Sequence, residues 1–199
     1  MFHQEYKGVL KNQNFCASLN ARSAKNGQLR SNAVTKNSLF NTPGDDTCFM
    51  QEALLEARRG FDMDEVPIGC VIVYDGKIIG RGANERMTRK NVLRHAEITA
   101  INQACEVIGD WRLEECTLYV TFEPCPMCAG AIVQARIPEV VYGAKNPKAG
   151  CAGSVLDILN EPRFNHQVKV TSGVCEEECA GLMTEFFKRF RAGKCVNGN

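Results

Sequence analysis

Four residues of the sequence could together carry out metal-assisted hydrolysis: His95, Glu97, Cys125 and Cys128. Thiolate sulfur and imidazole nitrogen are ligands that Zn²⁺ prefers, and three protein ligands leave the fourth tetrahedral position open, as in catalytic sites. Glu97 follows His95 by two residues, so its carboxylate can lie beside the open position and transfer protons. The pattern therefore predicts one Zn²⁺ ion per subunit and hydrolysis of a ring carbon–nitrogen bond, with ammonia as the leaving group.

A Cys-x-x-Cys pair alone would be a weak indication, because such pairs are also found in structural and redox sites. A closed structural site needs a fourth ligand, for which the sequence offers Cys151, His166, Cys175 and Cys179. No second pair stands at matching spacing, so we expect the other cysteines to pack as small apolar residues. The His-x-Glu motif upstream favours catalysis, since a redox pair does not need it.

Both ligand motifs lie where helices are predicted to begin. Capping at Asp46 or Thr47 and apolar spacing through Arg59 predict a first helix. Asp75-Gly76 predicts a hairpin turn between two strands, 66–74 and 77–83. The remaining predictions are helices over 95–107, 125–135, 154–160 and 175–191, and strands over 117–122, 139–143 and 167–172. This order predicts an α/β sandwich with a mixed sheet.

Composition fits a globular protein, with 44% hydrophobic and 24% charged residues. The net charge of +1 combines +5 over residues 1–44 with −4 over residues 45–199. A nucleic-acid surface in the folded part must therefore be a local basic patch. Eleven cysteines without a preceding secretory signal predict reduced thiols rather than a disulfide framework. No stretch approaches the length of a membrane span, so we expect no membrane association.

Three segments are predicted along the chain. Residues 1–44 are rich in Asn and poor in apolar residues, which is typical of a disordered basic tail. Residues 45–192 form the catalytic domain, and residues 193–199 are expected to be a disordered end. We expect a cytoplasmic protein, or an organellar one if the tail is a transit peptide.

The chain resembles the bacterial tRNA-specific adenosine deaminases of the cytidine-deaminase-like superfamily from about Phe49 to Arg191. The His-x-Glu and Pro-Cys-x-x-Cys combination is the signature of zinc deaminases of nucleobases. Motifs that carry the narrower resemblance are Val66-Pro-Ile-Gly, Gly82-Ala-Asn, Ala149-Gly-Cys-Ala-Gly-Ser, Asn165-His and Glu185-Phe-Phe-Lys-Arg-Phe-Arg.

The resemblance implies a three-layer α/β/α sandwich around a five-stranded mixed sheet, the cytidine deaminase-like fold. It implies conversion of the wobble adenosine (position 34) of a tRNA anticodon to inosine, in a homodimer whose sites borrow groups from the neighbour. It suggests an arginine tRNA as the substrate. His95, Cys125 and Cys128 match the zinc ligands, Glu97 the proton shuttle, and Asn84 and Ala96 the residues beside the base.

Basic residues with interleaved aromatic residues suit phosphates and splayed bases. Such residues lie just before His95 and in the C-terminal Phe-Phe-Lys-Arg-Phe-Arg run, where Phe186 and Phe190 fit a core and Phe187 fits a groove. Further candidates for substrate binding are Asn146, Lys148, Asn165 and His166.

Asn146 stands where many family members carry Asp, which predicts weaker discrimination of RNA from DNA. Two other functions remain open: a free-base deaminase for guanine or cytosine, and a silent zinc-bearing RNA-binding subunit. The basic residues argue against the first and Glu97 against the second.

Overall fold

The computed structural model describes residues 43–196, with side chains over 46–192. The predicted tail up to residue 42 and the last residues, 197–199, lie outside this range. The described elements, in chain order, are α1 (Pro43–Asp62), β1 (Gly69–Tyr74), β2 (Lys77–Ala83), α2 (Ala96–Ile108), β3 (Cys116–Phe122), α3 (Pro126–Gln134), β4 (Glu139–Ala144), β5 (Lys169–Ser172) and α4 (Glu176–Val196).

The five described strands form one mixed sheet in the order β2-β1-β3-β4-β5. Strand β1 pairs antiparallel with β2 and β3, while β3, β4 and β5 are parallel. The hairpin turn holds Asp75 and Gly76 at positive φ, 48° and 69°, as a two-residue turn of this kind requires. The parallel pairs place the ends of β3 and β4 at one edge, together with the start of β1 and the end of β2.

Two separate cores cover the two faces of the sheet. Helices α2 and α3 pack with Ile72, Leu118 and Val140 on one face. Helices α1 and α4 pack with Val71, Tyr119 and other residues on the opposite face. Alternate residues of each strand point to opposite faces, which is why neighbours such as Val71 and Ile72 belong to different cores. The predicted three-layer α/β/α sandwich with a five-stranded mixed sheet is confirmed.

The predicted helix over 154–160 is wrong, because the described chain there forms turns and a bridge between Ala152 and Asp157. Two carboxylates accept hydrogen bonds from backbone N–H groups of this segment. Glu123 accepts from the N–H groups of Ala152 and Ser154, and Asp157 accepts from the N–H of Asn160. Local bonds from side chains to the backbone compete in this way with helix formation.

Element ends also differ from the predicted ones. Strand β1 begins at Gly69 rather than residue 66, since Pro67 has no N–H to donate and the chain turns back through the bond from Ile68 N–H to Val66 O. Asp46 lies inside the first turns of α1 and accepts from the Tyr119 hydroxyl at 2.8 Å. Helix α4 continues to Val196, past the domain boundary expected at 192.

The described thiols are mostly packing residues. Free cysteines are found at 70, 105, 116, 125, 128, 151, 175 and 179, and Cys70, Cys116, Cys151 and Cys179 are buried in the two cores. Cys48, in contrast, is disulfide-bonded, which the expectation of reduced thiols did not include. Among the described helices, none combines the length and apolarity that crossing a bilayer requires.

Candidate active site

Three potential metal ligands meet at the edge of the sheet where β3 and β4 end. His95 is the N-cap of α2 and Cys125 is the N-cap of α3, each with extended backbone, and Cys128 lies in the first turn of α3. Pro126 starts α3, where the missing N–H of proline costs no helical hydrogen bond. Two helix N-termini therefore converge on one point, as the sequence predicts.

The geometry of the cluster suits a small cation. One donor atom from each of His95, Cys125 and Cys128 lies within 4.8 Å of the others. The imidazole Nδ1 faces both sulfur atoms, at 3.6 Å from Cys125 Sγ and 3.5 Å from Cys128 Sγ. Within the range 46–192, no other group of three such side chains is this close. Cys151, His166, Cys175 and Cys179 thus supply no fourth ligand, and the set has the composition of an open catalytic site.

The electrostatics of the cluster favour a thiolate. The hydrogen bond with Cys128, together with His95, lowers the pKa of Cys125 to about 4. The hydrogen bond with Cys125 raises the pKa of Cys128, because a second negative charge beside the Cys125 thiolate is unfavourable. Hydrogen bonding to Cys125 raises the pKa of His95. A divalent cation would neutralise this concentration of ligand charge.

Glu97 lies beside the cluster in the first turn of α2. Its residue is only 3% exposed, and its Oε2 atom accepts no hydrogen bond from the part of the chain that the structure describes. Burial raises the pKa of this carboxyl. A buried oxygen without a partner is costly unless something donates to it. The side chain is therefore placed to receive a proton from a group held at the three ligands.

A close contact between α2 and β2 sets the height of Glu97 over the sheet. A Cβ atom on Gly82 would lie 2.1 Å from the carbonyl oxygen of Ala96, so only glycine allows this approach. Gly80 makes the same kind of contact with Ala100 O, at 2.3 Å. The Gly-x-Gly pattern of β2 therefore holds the start of α2 directly on the sheet.

Asn84 follows β2 at the same edge and is buried. Its Nδ2 donates to Oε2 of Glu65 at 3.3 Å, and its backbone N–H donates to Ile68 O. Glu65 is a residue that sequence reasoning missed. A charged residue next to Val66-Pro67 at the entry to a buried strand is the signal that could have marked it.

Glu123 is a second buried carboxylate that sequence reasoning left without a role. It accepts from the backbone N–H groups of Asn146, Ala152 and Ser154 and from the Ser154 hydroxyl. Burial opposes ionisation, but these hydrogen bonds outweigh it and lower the pKa of the carboxyl. The bond from Cys151 N–H to Pro124 O adds to the connection. Segment 145–154 is thereby fixed to the loop that carries the cysteine ligands.

Asn146 stabilises its own loop. Its Oδ1 atom accepts from the backbone N–H groups of Lys148 and Ala149, at 3.3 and 3.1 Å. The oxygen is engaged within the chain, which leaves the Nδ2 group of the side chain to meet a ligand.

An open groove of about 520 Å³ lies between this loop and α4. Its lining includes Lys145, Lys148, Met183, Phe187 and Arg191. Phe186 is buried and Phe187 lines the groove, as predicted, whereas Phe190 is 45% exposed and was wrongly expected to fit the core. The groove therefore presents the positive charges of Lys145, Lys148 and Arg191 beside the exposed ring of Phe187.

Asn165 and His166 lie at the opposite edge of the sheet. His166 Nε2 is 2.8 Å from Ile137 O, and Asn165 Oδ1 accepts from Arg136 at 2.6 Å. Both partners precede β4, whereas the ligand cluster lies beyond the ends of β3 and β4. Six strand residues separate the two edges by roughly 20 Å at about 3.3 Å per residue. The hydrogen-bond contacts of these two residues are thus with the turn before β4, although Asn165 also lines a groove with Pro126, which follows Cys125.

Comparison with known proteins agrees with this site. The family model of the MafB19-like deaminases matches residues 44–191. Solved structures of a guanine deaminase from Nitrosomonas europaea share the fold, for example at 21% identity and a TM-score of 0.59 over 70% of this chain and 83% of that one. The chain is therefore a deaminase of the cytidine deaminase-like fold.

The relatives narrow this class. A tRNA-specific adenosine deaminase of Bacillus subtilis (strain 168) is 51% identical over 149 residues, 75% of this chain and 92% of the relative. That of Agrobacterium fabrum (strain C58 / ATCC 33970) is 46% identical over 145 residues, 73% and 95% of the two chains. A structure from work on tRNA:A34 deaminases matches at 46% identity and a TM-score of 0.66, over 68% and 99%. The chain belongs to the family of tRNA-specific adenosine deaminases.

Proposed function

We propose that this protein hydrolyses the wobble adenosine, position 34, of a tRNA anticodon to inosine and releases ammonia. The observation that carries the proposal is the buried Glu97 carboxylate, with an oxygen that lacks a partner among the described residues, next to His95, Cys125 and Cys128. A binding module has no use for such a costly buried group. The family membership supports adenosine in tRNA as the substrate.

His95, Cys125 and Cys128 would hold one Zn²⁺ ion in each subunit. Two thiolates and one imidazole form a soft donor set that fits zinc, and the burial of Cys128 keeps the site partly dry. When bound, zinc supplies Lewis acidity that lowers the pKa of water and provides a nucleophile at neutral pH.

The chain's own residues carry the protons and orient the base. Glu97 Oε2 accepts one proton of the attacking water and delivers it to a ring nitrogen, and it then transfers the second proton of that water to the amine, which leaves as ammonia; its raised pKa suits both transfers. The Asn84 amide bonds the purine ring. The backbone amide of Ala96, at the start of α2, lies next to the reacting edge of the base.

The RNA strand would follow two basic surfaces. One is the exposed loop 85–94, which carries Arg86, Arg89, Lys90 and Arg94. The other is the groove with Lys145, Lys148, Phe187 and Arg191. Lysine and arginine neutralise phosphates, and an exposed ring can stack on an unpaired base. Asn146 stands between Lys145 and Lys148 of this groove in the chain, where it can contact the sugar.

We further propose a homodimer, in which Asn165 and His166, bound to the turn before β4 of their own chain, serve the catalytic site of a second copy. A second groove of about 250 Å³, lined by Gly130, Val133, Phe164 and Asn165 among others, offers an apolar surface for that copy. An arginine tRNA as substrate and a cytoplasmic location are the remaining parts of the proposal.

The test is a product assay with matched substrates. The purified protein is incubated with an anticodon hairpin that carries a wobble adenosine, with the same hairpin carrying guanosine there, and with free guanine and cytosine. We expect inosine from the first substrate alone. Xanthine or uracil as the main product would instead establish the free-base deaminase.

The first testable prediction concerns Glu97. Glu97→Ala should retain one zinc per chain by metal analysis and bind the hairpin with unchanged Kd, yet form inosine at least about 1,000-fold more slowly, because proton transfer is lost. Near-normal turnover by this variant would contradict the assigned role. If the wild type binds RNA and forms no product, the silent RNA-binding subunit is the correct function.

A further inference from the structure

A single buried carboxylate links the residue beside the base to the basic loop. Glu65 lies between α1 and β1 and is 0% exposed. Its Oε2 accepts from Asn84 Nδ2 at 3.3 Å. Its Oε1 accepts from the backbone N–H of Thr88 at 2.6 Å and from the Thr88 hydroxyl at 2.9 Å. Each oxygen therefore serves a different part of the site.

The two donors, Asn84 and Thr88, are four residues apart in the chain and belong to different elements, and the Thr88 hydroxyl also contacts the carbonyl oxygen of Glu85. Asn84 stands at the end of β2, and Thr88 lies in the exposed loop 85–94. The loop also closes on itself, through the bonds from Glu85 N–H to Arg94 O and from Arg94 N–H to Asn91 O. Fixing Thr88 thus fixes the first half of a segment that ends at His95.

We propose that Glu65 is a positioning residue, which sets the orientation of the Asn84 amide and holds the basic loop in register with it. The proposal rests on the proposed function, in which Asn84 contacts the substrate base. Glu65 itself touches neither the substrate nor the metal ligands.

Hydrogen-bond chemistry explains why a carboxylate is needed. An ionised carboxylate only accepts, so the end of the Asn84 amide that faces it must be the NH₂ group. A flipped amide would place Oδ1 against Oε2 of Glu65 and leave both oxygens without a donor. One N–H of Asn84 is thereby used, and the other N–H and Oδ1 are held in a fixed arrangement for the base. A free amide would lose this arrangement to rotation.

Glutamine at position 65 cannot perform both tasks. A carboxamide has one acceptor oxygen, while Asn84 and Thr88 both offer donors. In Glu65→Gln either Thr88 loses its acceptor, or Asn84 turns its oxygen toward the new NH₂ group. The size and burial of the side chain are retained, so the substitution tests the hydrogen bonds rather than packing.

A double-mutant cycle on the zinc-loaded protein tests the coupling. The variants are Glu65→Gln, Asn84→Ala and the double variant, assayed as kcat/KM on the adenosine hairpin. We expect Glu65→Gln to lower kcat/KM at least about tenfold in the wild-type background and less than about threefold when Asn84 is already alanine. Equal losses in both backgrounds, or a loss of zinc from Glu65→Gln, would overturn the proposal.

Two control variants accompany the cycle. Glu139→Gln removes a carboxylate that pairs with Lys169 at 2.9 Å at the opposite edge of the sheet, and it should leave kcat/KM unchanged. Thr88→Val removes the hydroxyl bond to Oε1 and the longer contact with the carbonyl oxygen of Glu85, and it retains the backbone bond to Oε1. We expect this variant to raise KM for the hairpin with kcat unchanged, since the loop alone is affected.

A measurement on the wild type keeps the proposal testable if Glu65→Gln does not fold. The side-chain amide protons of Asn84, assigned by their absence in Asn84→Ala, should exchange slowly with water in an NMR spectrum. Exchange as fast as that of an exposed asparagine would overturn the proposal. This result is independent of catalysis, so a wild type that forms no inosine would refute the proposed function and not the role of Glu65.

Discussion

At the scale of single residues, Asn146 has the clearest consequence for substrate choice. Its Oδ1 atom is engaged by the backbone of Lys148 and Ala149, so the side chain presents an NH₂ group to a ligand. Aspartate would keep the same turn with one oxygen and offer the second as an acceptor. A ribose 2′-hydroxyl can donate to that oxygen, and a deoxyribose cannot.

We therefore predict that Asn146→Asp increases the preference for RNA over DNA about tenfold, the effect of one charge-assisted hydrogen bond. The measurement compares deamination rates on an RNA hairpin and on the same hairpin with 2′-deoxyadenosine at the target position. Lys148→Ala serves as a control that should slow both reactions equally, because it removes a phosphate contact. An unchanged ratio for Asn146→Asp would show that the residue does not face the sugar.

The metal ligands and the proton-transferring carboxylate could be predicted from the sequence. The buried carboxylates that hold the surrounding loops in place could not. His95, Glu97, Cys125 and Cys128 stand at a spacing that points to zinc hydrolysis, and the structure places the three ligands together. Glu65 and Glu123 carry no comparable motif. Their roles depend on backbone N–H groups of Thr88, Asn146, Ala152 and Ser154, which the fold brings to them from distant positions in the chain.

At the scale of elements, two glycines of β2, which have no side chain, allow α2 to pack closely on the sheet. Gly82 faces Ala96 O and Gly80 faces Ala100 O, so the helix that carries His95 and Glu97 lies directly on the sheet. Hydrophobic periodicity predicts both β2 and α2, but it does not predict the distance between them. The helix wrongly predicted over 154–160 has the same kind of origin, since the competing bonds from Glu123 arise only in the folded chain.

We predict that Gly82→Ala displaces the start of α2 and destabilises the protein by about 3 kcal/mol, a large value for one methyl group because its neighbour is backbone. Zinc content should fall with it, since His95 moves with the helix. Gly181→Ala is the matched control, because a Cβ atom there has nothing within 4 Å. Alanine is the better helix former, so this variant should gain about 0.5–1 kcal/mol. Urea unfolding and metal analysis measure both effects, and equal stabilities of the two variants would contradict the role of the close contact.

At the scale of the whole molecule, the N-terminal segment and the rest of the chain carry net charges of opposite sign. The net charge of +1 combines +5 over residues 1–44 with −4 over the rest. The Bacillus subtilis relative aligns over 149 residues, 92% of its own length, against 75% of this chain. The family model begins at residue 44, so the additional basic residues lie outside the matched domain, whose basic loop and groove are the surfaces that we propose for RNA.

We predict that removal of residues 1–42 leaves zinc content, kcat and KM for the hairpin within about twofold of the full chain. The truncation ends before α1 begins at Pro43, so the contact between Asp46 and Tyr119 is retained. If KM instead rises strongly and depends less on salt, the removed segment contacts the phosphates.

The position of Asn165 and His166 leads to the last prediction. Because both contact the turn before β4 in their own chain, the proposed homodimer assigns them to the cluster of His95, Cys125 and Cys128 in a partner subunit. An Asn165→Ala/His166→Ala double variant should then have low activity on its own, as Glu97→Ala has.

The test mixes the two variants. After the two proteins are unfolded, mixed in equal amounts and refolded with zinc, half of the dimers contain one copy of each variant, and each of these dimers has one complete site. Activity should return to about a quarter of the wild-type value, the share of intact sites that random pairing of a two-fold dimer gives. If the two residues act within their own chain, every site in the mixture is defective and no activity returns. A double variant that is fully active alone would show that Asn165 and His166 serve the turn at Arg136 and Ile137, and not the substrate.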